Sequence, residues 1–409
     1  MPGLLAIIAL LSLTTVAVVE TRPVHINLFS LFRPHTLHIY LASGTGARVD
    51  TGRLDGGFDL APGEHARINL VGGHLSIVPV DSYGRDKPSI SCERARIIPR
   101  SGATFELVLP DKMRRLVRGE LMVQPREAKP RDWLGITLGS DLESVVASVV
   151  AAELHGSREP EAFKALAVVA RTFMLSHAGR HREEGFDFCD TTHCQLYKGE
   201  AGLASDLAAP ILAQAVAQTA GEALSFEGHT INTYFTAVCG GLSATPEMVW
   251  GGSLEGGYRY ERVRCRWCAG SHYMKWERRA DAAQVLDALS QARGIRLSSS
   301  AEITIEEEEQ GGPVRRVIIR DKSRQVVMGT EEFRRAIGLR IGWNRVLSPT
   351  FQVERRGRHL IFRGRGFGSQ VGLCLAGTRA QAAAGRSYRD ILEFYYPRAE
   401  IGSRAAGEK

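Results

Sequence analysis

Apolar residues recur at helical spacing within residues 141–172, and this pattern predicts two consecutive helices. The first helix is predicted over about residues 142–154, and one of its faces carries positions i, i+4, i+7 and i+11. Glu153 ends this series, so it lies on the apolar side of the helix. The residues of this face are Leu142, Val146, Val149 and Glu153.

A carboxylate on an apolar helix face is hard to ionise, because desolvation disfavours its charged form. We therefore predict a raised pKa for Glu153 and a side chain that can act as a catalytic acid near neutral pH. The simpler alternative is that Glu153 lies at the rim of the face and forms an ion pair with Arg171 on the second helix. Structural ion pairs outnumber catalytic acids, so this alternative stays open.

Residues 24–127 alternate between apolar and polar positions with the period of two that is typical of strands. Glycine and proline interrupt the alternation, and the pattern predicts a small β-rich N-terminal domain. Residues 125–130 begin and end with proline and are the predicted linker to the next part of the chain. The clearest predicted strands are Thr36–Leu41, Ala66–Leu70, His74–Pro79 and Phe105–Leu109.

Helical and strand patterns are mixed after this linker, and the fold class that they predict is α+β. Residues 231–238 are predicted to form a strand, and residues 379–395 the last helix. The predicted parts are a helical core with Glu153 and a Cys/His loop (130–275), an inserted α+β lobe (276–350), a C-terminal segment that returns to the core (351–397) and a tail (398–409).

The N-terminal residues Leu4 to Val19 form an unbroken apolar or neutral run. This run is short for a membrane span and close in length to the core of a signal peptide. Residues 1–21 are therefore predicted to be a signal peptide or an uncleaved membrane anchor, and the protein to be exported to the cell envelope. The alternative is a buried strand or helix of a cytoplasmic protein.

The composition of the 409-residue chain is that of a globular protein, with 44% apolar and 24% charged residues, which excludes a disordered chain. Its net charge of +7 favours an anionic partner, such as nucleic acid, an acidic membrane or the acidic polymers of a cell wall. The basic residues are dispersed and form no recognised nucleic-acid module, so nucleic acid is not a predicted partner.

The spacing of Cys189, His193 and Cys194 is typical of a metal half-site, with two thiols and an imidazole within six residues. Structural zinc takes four such ligands, and His181 on the preceding loop is the candidate for the fourth. A bound zinc ion would fix the loop, and its predicted role is structural. The alternatives are a disulfide between the two cysteines or a loop held by hydrogen bonds alone.

The chain has seven cysteines, and a second group of them includes the pair Cys265-x2-Cys268. These two residues could form a second metal cluster with Cys239 and also with Cys374. The alternative is one disulfide and an unpaired thiol. Cys92, in the β-rich part, is predicted to be a small buried hydrophobic residue.

The pattern of the two helices, together with Cys189-Asp-Thr-Thr-His-Cys-Gln195, resembles the SpoIID/LytB family. This family comprises the stage II sporulation protein D and amidase-enhancer proteins of bacterial cell walls. The likeness extends over about residues 105–397. Its further elements are Cys239–Gly241, Val249–Trp250, Phe333 to Gly338, Gly364–Gly366 and Ile391–Pro397.

This resemblance implies a fold that cleaves the glycan strands of peptidoglycan. The sporulation members are lytic transglycosylases, and their catalytic acid falls on Glu153. Such an enzyme needs one carboxyl group, which protonates the glycosidic oxygen and then takes a proton from the 6-hydroxyl of muramic acid. The implied product is a 1,6-anhydro ring, and the second carboxylate of ordinary glycosidases is not required.

Side chains near the implied site are candidates for binding the saccharide. Thr191, Thr192 and Gln195 could hydrogen bond to sugar hydroxyl or acetamido groups, and Tyr234 and Trp250 could stack on pyranose rings. Ordinary core packing is the alternative for the two aromatic residues. Two further carboxylates lie nearby, and of these we expect Asp190 to cap the loop rather than to act in catalysis; the other is Asp187.

The chain departs from the family pattern at two places. Family members commonly have a histidine in a C-terminal Gly-His-Gly-Val-Gly loop, where this chain has Ser369 within residues 368–372. A His-Ser type pair is common where this chain has Thr236 and Ala237. The main alternative function is therefore a non-catalytic wall-binding protein that stimulates an N-acetylmuramoyl-L-alanine amidase. A zinc-stabilised scaffold is a weaker alternative.

Overall fold

Helices and strands are mixed along the chain, which confirms the predicted α+β class. The predicted signal peptide or anchor at residues 1–21 lies outside the part of the chain that the structure describes. Within that part, no helix is long and apolar enough to cross a membrane. The computed structural model describes residues 23–53, 56–110, 112–127, 131–200, 207–251, 257–309 and 311–403.

Two antiparallel sheets form the N-terminal part of the protein. One has the strand order β10-β9-β2-β5-β6-β7, and the other contains β1-β12-β11-β8-β3-β4. Alternate residues of the strands are buried in the core, so the four clearest strand predictions are confirmed. The strands are β1 Val24–Leu28, β2 Thr36–Ser43, β3 Ala47–Asp50, β4 Phe58–Leu60, β5 His65–Val71, β6 His74–Val80, β7 Ile90–Cys92, β8 Ala95–Pro99, β9 Thr104–Leu109, β10 Met113–Val117, β11 Glu120–Arg126 and β12 Trp133–Ser140.

The predicted linker at residues 125–130 is wrong at its first two positions. Pro125 pairs with Leu134 and Arg126 with Trp133, so β11 and β12 form a hairpin. A proline is tolerated here because β8 pairs only with Leu121 to Val123, and Pro125 lies beyond the end of that ladder. The predicted boundary between a β domain and a core thus falls between two hydrogen-bonded strands.

A short strand, β13 (Phe188–Cys189), adds to the free edge of β1 in parallel orientation, with Asn27 opposite Cys189. This pairing attaches the Cys/His loop directly to the N-terminal sheet. The apolar residues of both parts also belong to one continuous core, in which Ile26 and Val149 are each at most 2% exposed. The N-terminal sheet therefore helps to position the loop that follows the two helices.

The two predicted helices are α1 and α2, and an ion pair joins them, although not the one considered from the sequence. Arg171 is fully buried and bonds through Nε and Nη2 to the carboxylate of Glu143, at 2.7 and 2.6 Å. The helices run in opposite directions, so the last part of α2 lies beside the first turn of α1. The elements of this region are α1 Leu142–Glu153, α2 Pro160–Ser176, α3 Ala209–Gln218, β14 Glu222–Phe226, β15 His229–Thr230, β16 Phe235–Thr236 and α4 Pro246–Trp250.

The inserted lobe has its own hydrophobic core, which includes Trp276 and Phe362. Its last strand lies between its first strand and the strand at residues 351–356 and pairs with both, so the lobe continues to Gly364 and the predicted boundary at 350 falls inside it. Its elements are β17 Trp276–Asp281, α5 Ala282–Arg293, β18 Glu302–Glu307, β19 Val314–Asp321, β20 Arg324–Gly329, α6 Thr330–Ile341, β21 Phe351–Arg356 and β22 His359–Gly364.

The chain then returns to the first core, as expected, but two details differ from the predictions. The last helix is divided in two, because Gly385 has a φ of 82° and Ser387 begins a new helix with a capping box. The predicted tail contains a strand that pairs with β14, and the predicted strand at 231–238 is reduced to β16. The elements are β23 Leu373–Cys374, α7 Leu375–Ala383, α8 Tyr388–Tyr395 and β24 Glu400–Ser403.

Candidate active site and metal centre

Glu153 is the last residue of α1, and its helix is fixed at the other end by Asp141, whose Oδ1 accepts a hydrogen bond from the Ser144 N–H at 2.8 Å. The C-terminus of a helix carries partial negative charge, which disfavours a carboxylate there. The last turn of α1 has no basic residue that would offset this charge. The backbone alone therefore makes ionisation of Glu153 less favourable.

The environment of the Glu153 side chain acts in the same direction. The residue is partly buried, and burial raises its pKa to about 7, while the smaller effect of the Lys198 charge lowers it. Among the described residues, its carboxylate has no hydrogen-bond or ion-pair partner. A group with a pKa near 7 is present in both protonation states at neutral pH, so it can donate a proton and later accept one.

Two basic residues near Glu153 were not found from the sequence. Lys198 is held by its own N–H, which donates to Ser148 Oγ of α1 at 3.3 Å. Arg379 of α7 donates from Nη2 to the backbone oxygens of Glu153 (3.5 Å) and His155 (3.0 Å), and so satisfies carbonyl groups at the end of α1. Both lie far from Glu153 in sequence, and neither belongs to a recognisable motif.

The four predicted metal ligands lie together. The ligand atoms of His181, Cys189, His193 and Cys194 are all within 4.8 Å of one another. The two sulfur atoms are 3.5 Å apart, and both cysteines are free, so the structure does not contain the alternative disulfide. The distances from sulfur to histidine nitrogen are 3.4 Å (Cys194 to His181 Nε2) and 3.6 Å (each sulfur to His193 Nδ1).

These distances suit a single tetrahedral ion. Bonds of about 2.0–2.3 Å from zinc to nitrogen and sulfur give tetrahedron edges of about 3.3–3.8 Å. His181 also bonds through Nδ1 to Glu184 Oε1 at 2.5 Å, which directs Nε2 towards the two sulfurs. The hydrogen-bonded contact between the two sulfurs lowers the pKa of Cys189, which favours the thiolate form that binds a metal ion.

Two aspartates attach the loop to β1. Asp190 accepts hydrogen bonds from the N–H groups of Phe29 (2.7 Å) and Ser30 (3.2 Å) and pairs with Arg115 at 2.5 Å. Asp190 thus has a structural role, as expected, although the backbone that its carboxylate caps is the turn after β1 and not its own loop. Asp187 accepts from the His25 N–H at 2.9 Å. Both carboxylates therefore stabilise the fold by binding backbone N–H groups.

Comparison with known proteins shows what the segment around this site is similar to. Residues 135–226, which include α1, α2 and the Cys/His loop, match the family model SpoIID, described as stage II sporulation protein. Stage II sporulation protein D of Bacillus subtilis (strain 168) is 28% identical over 276 residues, which cover 65% of this chain and 75% of that protein. The resemblance to the SpoIID/LytB family is confirmed.

Two further relatives are similar to this chain. Stage II sporulation protein D of Bacillus amyloliquefaciens is 28% identical over 272 residues, covering 64% of this chain and 74% of that protein. The amidase enhancer of Bacillus subtilis (strain 168) is 21% identical over 396 residues, which cover 87% of this chain. The match spans 52% of the amidase enhancer, about half of its length.

The predicted saccharide-binding residues do not all lie where a glycan can reach them. Gln195 is 5% exposed, and it lines a cavity of about 10 Å³ that has room for one water molecule at most. This burial counts against a contact between Gln195 and a sugar. Thr191 is occupied within the loop, since its Oγ1 accepts from the His193 N–H at 3.2 Å, whereas Thr192 is exposed.

Tyr234 and Trp250 do come together, with their ring centroids 4.9 Å apart. Trp250 is 44% exposed, so the pair offers an aromatic surface to a ligand. None of the ring contacts or hydrogen bonds of the described residues joins this pair to Glu153. A role for the two rings in stacking on a sugar stays a prediction.

The two departures from the SpoIID pattern lie in one hydrogen-bond network. Thr236 Oγ1 donates to the Phe367 carbonyl and accepts from the Gln370 N–H, both at 3.0 Å. Gln370 has a φ of 66°, a conformation that favours glycine, and the family pattern has glycine at this place. Its amide bonds to Cys239 O (2.9 Å) and to the Thr350 hydroxyl (2.7 Å).

Hydroxyl and amide groups thus hold this loop together, and Ser369 and Ala237 add no titratable side chain to it. The loop at 368–372 therefore supplies no imidazole that could take part in the acid–base chemistry predicted for Glu153.

We predict that Glu153 makes folding stability depend on pH. Its folded pKa of about 7 lies above the ordinary 4.5, so the folded protein binds more protons than the unfolded chain between these values. The stabilisation is complete below pH 4.5 and is lost as the pH rises through 7. Relative to Glu153→Gln, the parent protein should lose about 3 kcal/mol of unfolding free energy between pH 4.5 and pH 8.

Urea denaturation of both proteins at the two pH values measures this difference. All other titrating groups contribute equally to the unfolding free energies of the two proteins, so their contributions cancel. Glu183→Gln is the matched control, because Glu183 is exposed and its replacement should leave the pH dependence unchanged. A difference between parent and Glu153→Gln that is the same at both pH values would show that Glu153 ionises normally.

Proposed function

We propose that this protein acts in the cell envelope as a lytic transglycosylase that cleaves the glycan strands of peptidoglycan, with Glu153 as both acid and base. The observation that carries this proposal is a carboxyl group with a pKa of about 7, without a partner among the described residues, in the family-matched segment. The net charge of +7 suits an anionic wall polymer.

The reaction follows from the two protonation states of Glu153. The neutral carboxyl group donates its proton to the glycosidic oxygen, and the bond between that oxygen and C1 of the muramic acid breaks. The resulting carboxylate takes the proton of the 6-hydroxyl of the same sugar, and a bond forms between O6 and C1. Glu153 is protonated again at the end, and Lys198 stabilises the intermediate carboxylate.

A single carboxyl group is consistent with the surroundings of Glu153. Ordinary glycosidases have a second carboxylate about 5–9.5 Å away. Lys198 is the only charged group among the described residues that shifts the pKa of Glu153. Glu200 also has a raised pKa, through burial, but it interacts with Asp141 at the other end of α1. Twelve residues of helix separate the two ends by about 18 Å.

Glu153→Gln should abolish release of 1,6-anhydro-muramic products from stem-peptide-free glycan strands. The amide has nearly the same shape but cannot transfer a proton, so we expect the rate to fall by a factor of about 10² or more. Mass analysis of the digested glycans measures the product, and Glu183→Gln should release it at the parent rate. Unchanged product from a folded Glu153→Gln protein would reject the catalytic role.

A second candidate function is stimulation of a cell-wall amidase by a protein that does not itself cut glycans. The match to the amidase enhancer over 87% of this chain favours it, as do the departures at Thr236, Ala237 and Ser369. This function yields no anhydro product from the parent protein or from Glu153→Gln. Both proteins would instead increase the turnover of an N-acetylmuramoyl-L-alanine amidase to the same extent.

We also propose that His181, Cys189, His193 and Cys194 bind a structural zinc ion. The four ligand atoms lie within 4.8 Å of one another, and four of the six distances among them are 3.4–3.6 Å, as in a tetrahedral site. The pairing with β1 holds the loop in place. When bound, the ion would fix the fold of the loop whose continuation carries Lys198. It takes no part in the proton transfers of Glu153.

Cys194→Ser should therefore contain one zinc equivalent fewer than the parent protein and unfold at a lower temperature, because a ligand is lost. Elemental analysis and thermal denaturation measure the two effects. Cys92→Ser removes a buried thiol far from this loop in sequence and should retain the full metal content. Equal zinc content in the parent protein and Cys194→Ser would rule out this site.

A further inference from the structure

Four cysteines outside the family-matched segment meet in the interior of the protein. Cys239 follows β16, Cys265 and Cys268 precede the inserted lobe, and Cys374 ends β23. Their sulfur atoms are all within 4.8 Å of one another, with Cys239 and Cys268 at 3.6 Å. Each residue is at most 1% exposed. Three separate segments of the chain thus contribute thiols to one point.

We propose that these four thiols bind one zinc ion as a second, all-cysteine structural site. A separation of 3.6 Å between sulfurs matches the edge of about 3.8 Å expected for a tetrahedral ion with bonds of about 2.3 Å. All four cysteines are free, so the structure does not contain the alternative disulfide. A cluster of several irons needs wider spacing, because its thiolates bind different iron atoms.

The groups around the sulfurs support thiolate ligands. The N–H groups of Cys239 and Gly377 both donate to Cys374 Sγ, at 3.3 and 3.4 Å, and the Tyr395 hydroxyl lies 3.2 Å from Cys265 Sγ. Such donors stabilise negative charge on metal-bound sulfur and form the outer shell of a metal site. Neutral thiols carry no negative charge, so four buried neutral thiols would not require these hydrogen-bond donors.

A glycine allows this close approach. A Cβ atom on Gly377 would lie 2.8 Å from Cys265 Sγ, too close for an ordinary contact. The first turn of α7 can therefore pack directly against the sulfurs only with glycine at this position. The absence of a side chain at Gly377 thus leaves the space that the four thiols need.

The location of the site suggests what the ion does. The inserted lobe lies between Cys268 and Cys374, so one ion would join the segments that enter and leave the lobe to Cys239 in the first core. Cys374 also caps α7, whose Arg379 bonds to the end of α1. The ion therefore anchors the base of the lobe and, through α7, the turn that follows Glu153. This role goes beyond the proposed catalysis and does not depend on it.

Metal content of the purified full-length chain tests the proposal. The parent protein should contain two zinc equivalents, and Cys265→Ser with Cys268→Ser should contain one. Cys194→Ser should lose the other ion, and Cys92→Ser should retain both. Zinc content unchanged by the double substitution would overturn the proposal, as would iron in place of zinc.

The parent protein alone gives an independent test if the double variant does not fold. Titration with an organomercurial in the presence of a zinc-sensitive dye should release one of the two ions as four thiols react. Removal of zinc with a chelator should increase hydrogen exchange in residues 257–275 and 373–383. Disulfides among these cysteines in a non-reducing peptide map, or unchanged exchange after zinc removal, would contradict the proposal.

Discussion

The enclosure of one carboxyl group at the end of α1 is the constraint on which the proposed chemistry depends. An isolated, partly buried glutamate near pKa 7 disfavours the folded state by about 3 kcal/mol when it is ionised. The rest of the helix is correspondingly well fixed. Asp141 caps its start, Glu143 pairs with the fully buried Arg171, and Arg379 bonds to the carbonyl groups at its end. The helix α1 is thus rigid enough to keep Glu153 in a position where its charged form is destabilised.

The N-terminal sheet has a direct part in this arrangement. β1 pairs with the start of the Cys/His loop, and Asp187 and Asp190 bind the backbone at the two ends of that strand. The loop continues to Lys198, whose N–H bonds to α1. The sheet, the loop and the helix therefore form one packed unit, and the position of Lys198 relative to Glu153 depends on all three.

Local patterns predicted much of this structure, and long-range pairing accounts for most of what they missed. The helical period placed Glu153 on an apolar face, and the spacing of Cys189 to Cys194 identified the loop. The partner of Arg171 was wrong because it depends on how two helices pack, which their separate periodicities do not contain. Lys198 and the strand at residues 400–403 have no local signature, because each acquires its role only through tertiary contacts.

The most direct test of the account is the titration of Glu153 itself. Carbon-13 NMR of protein labelled at the glutamate carboxyl carbons, with Glu153→Gln to assign the resonance, follows this group alone. We expect a midpoint near pH 7, because burial raises its pKa to about 7. A midpoint near the ordinary 4.5 would show that the group is solvated and ionised at neutral pH, and would contradict its role as the catalytic acid.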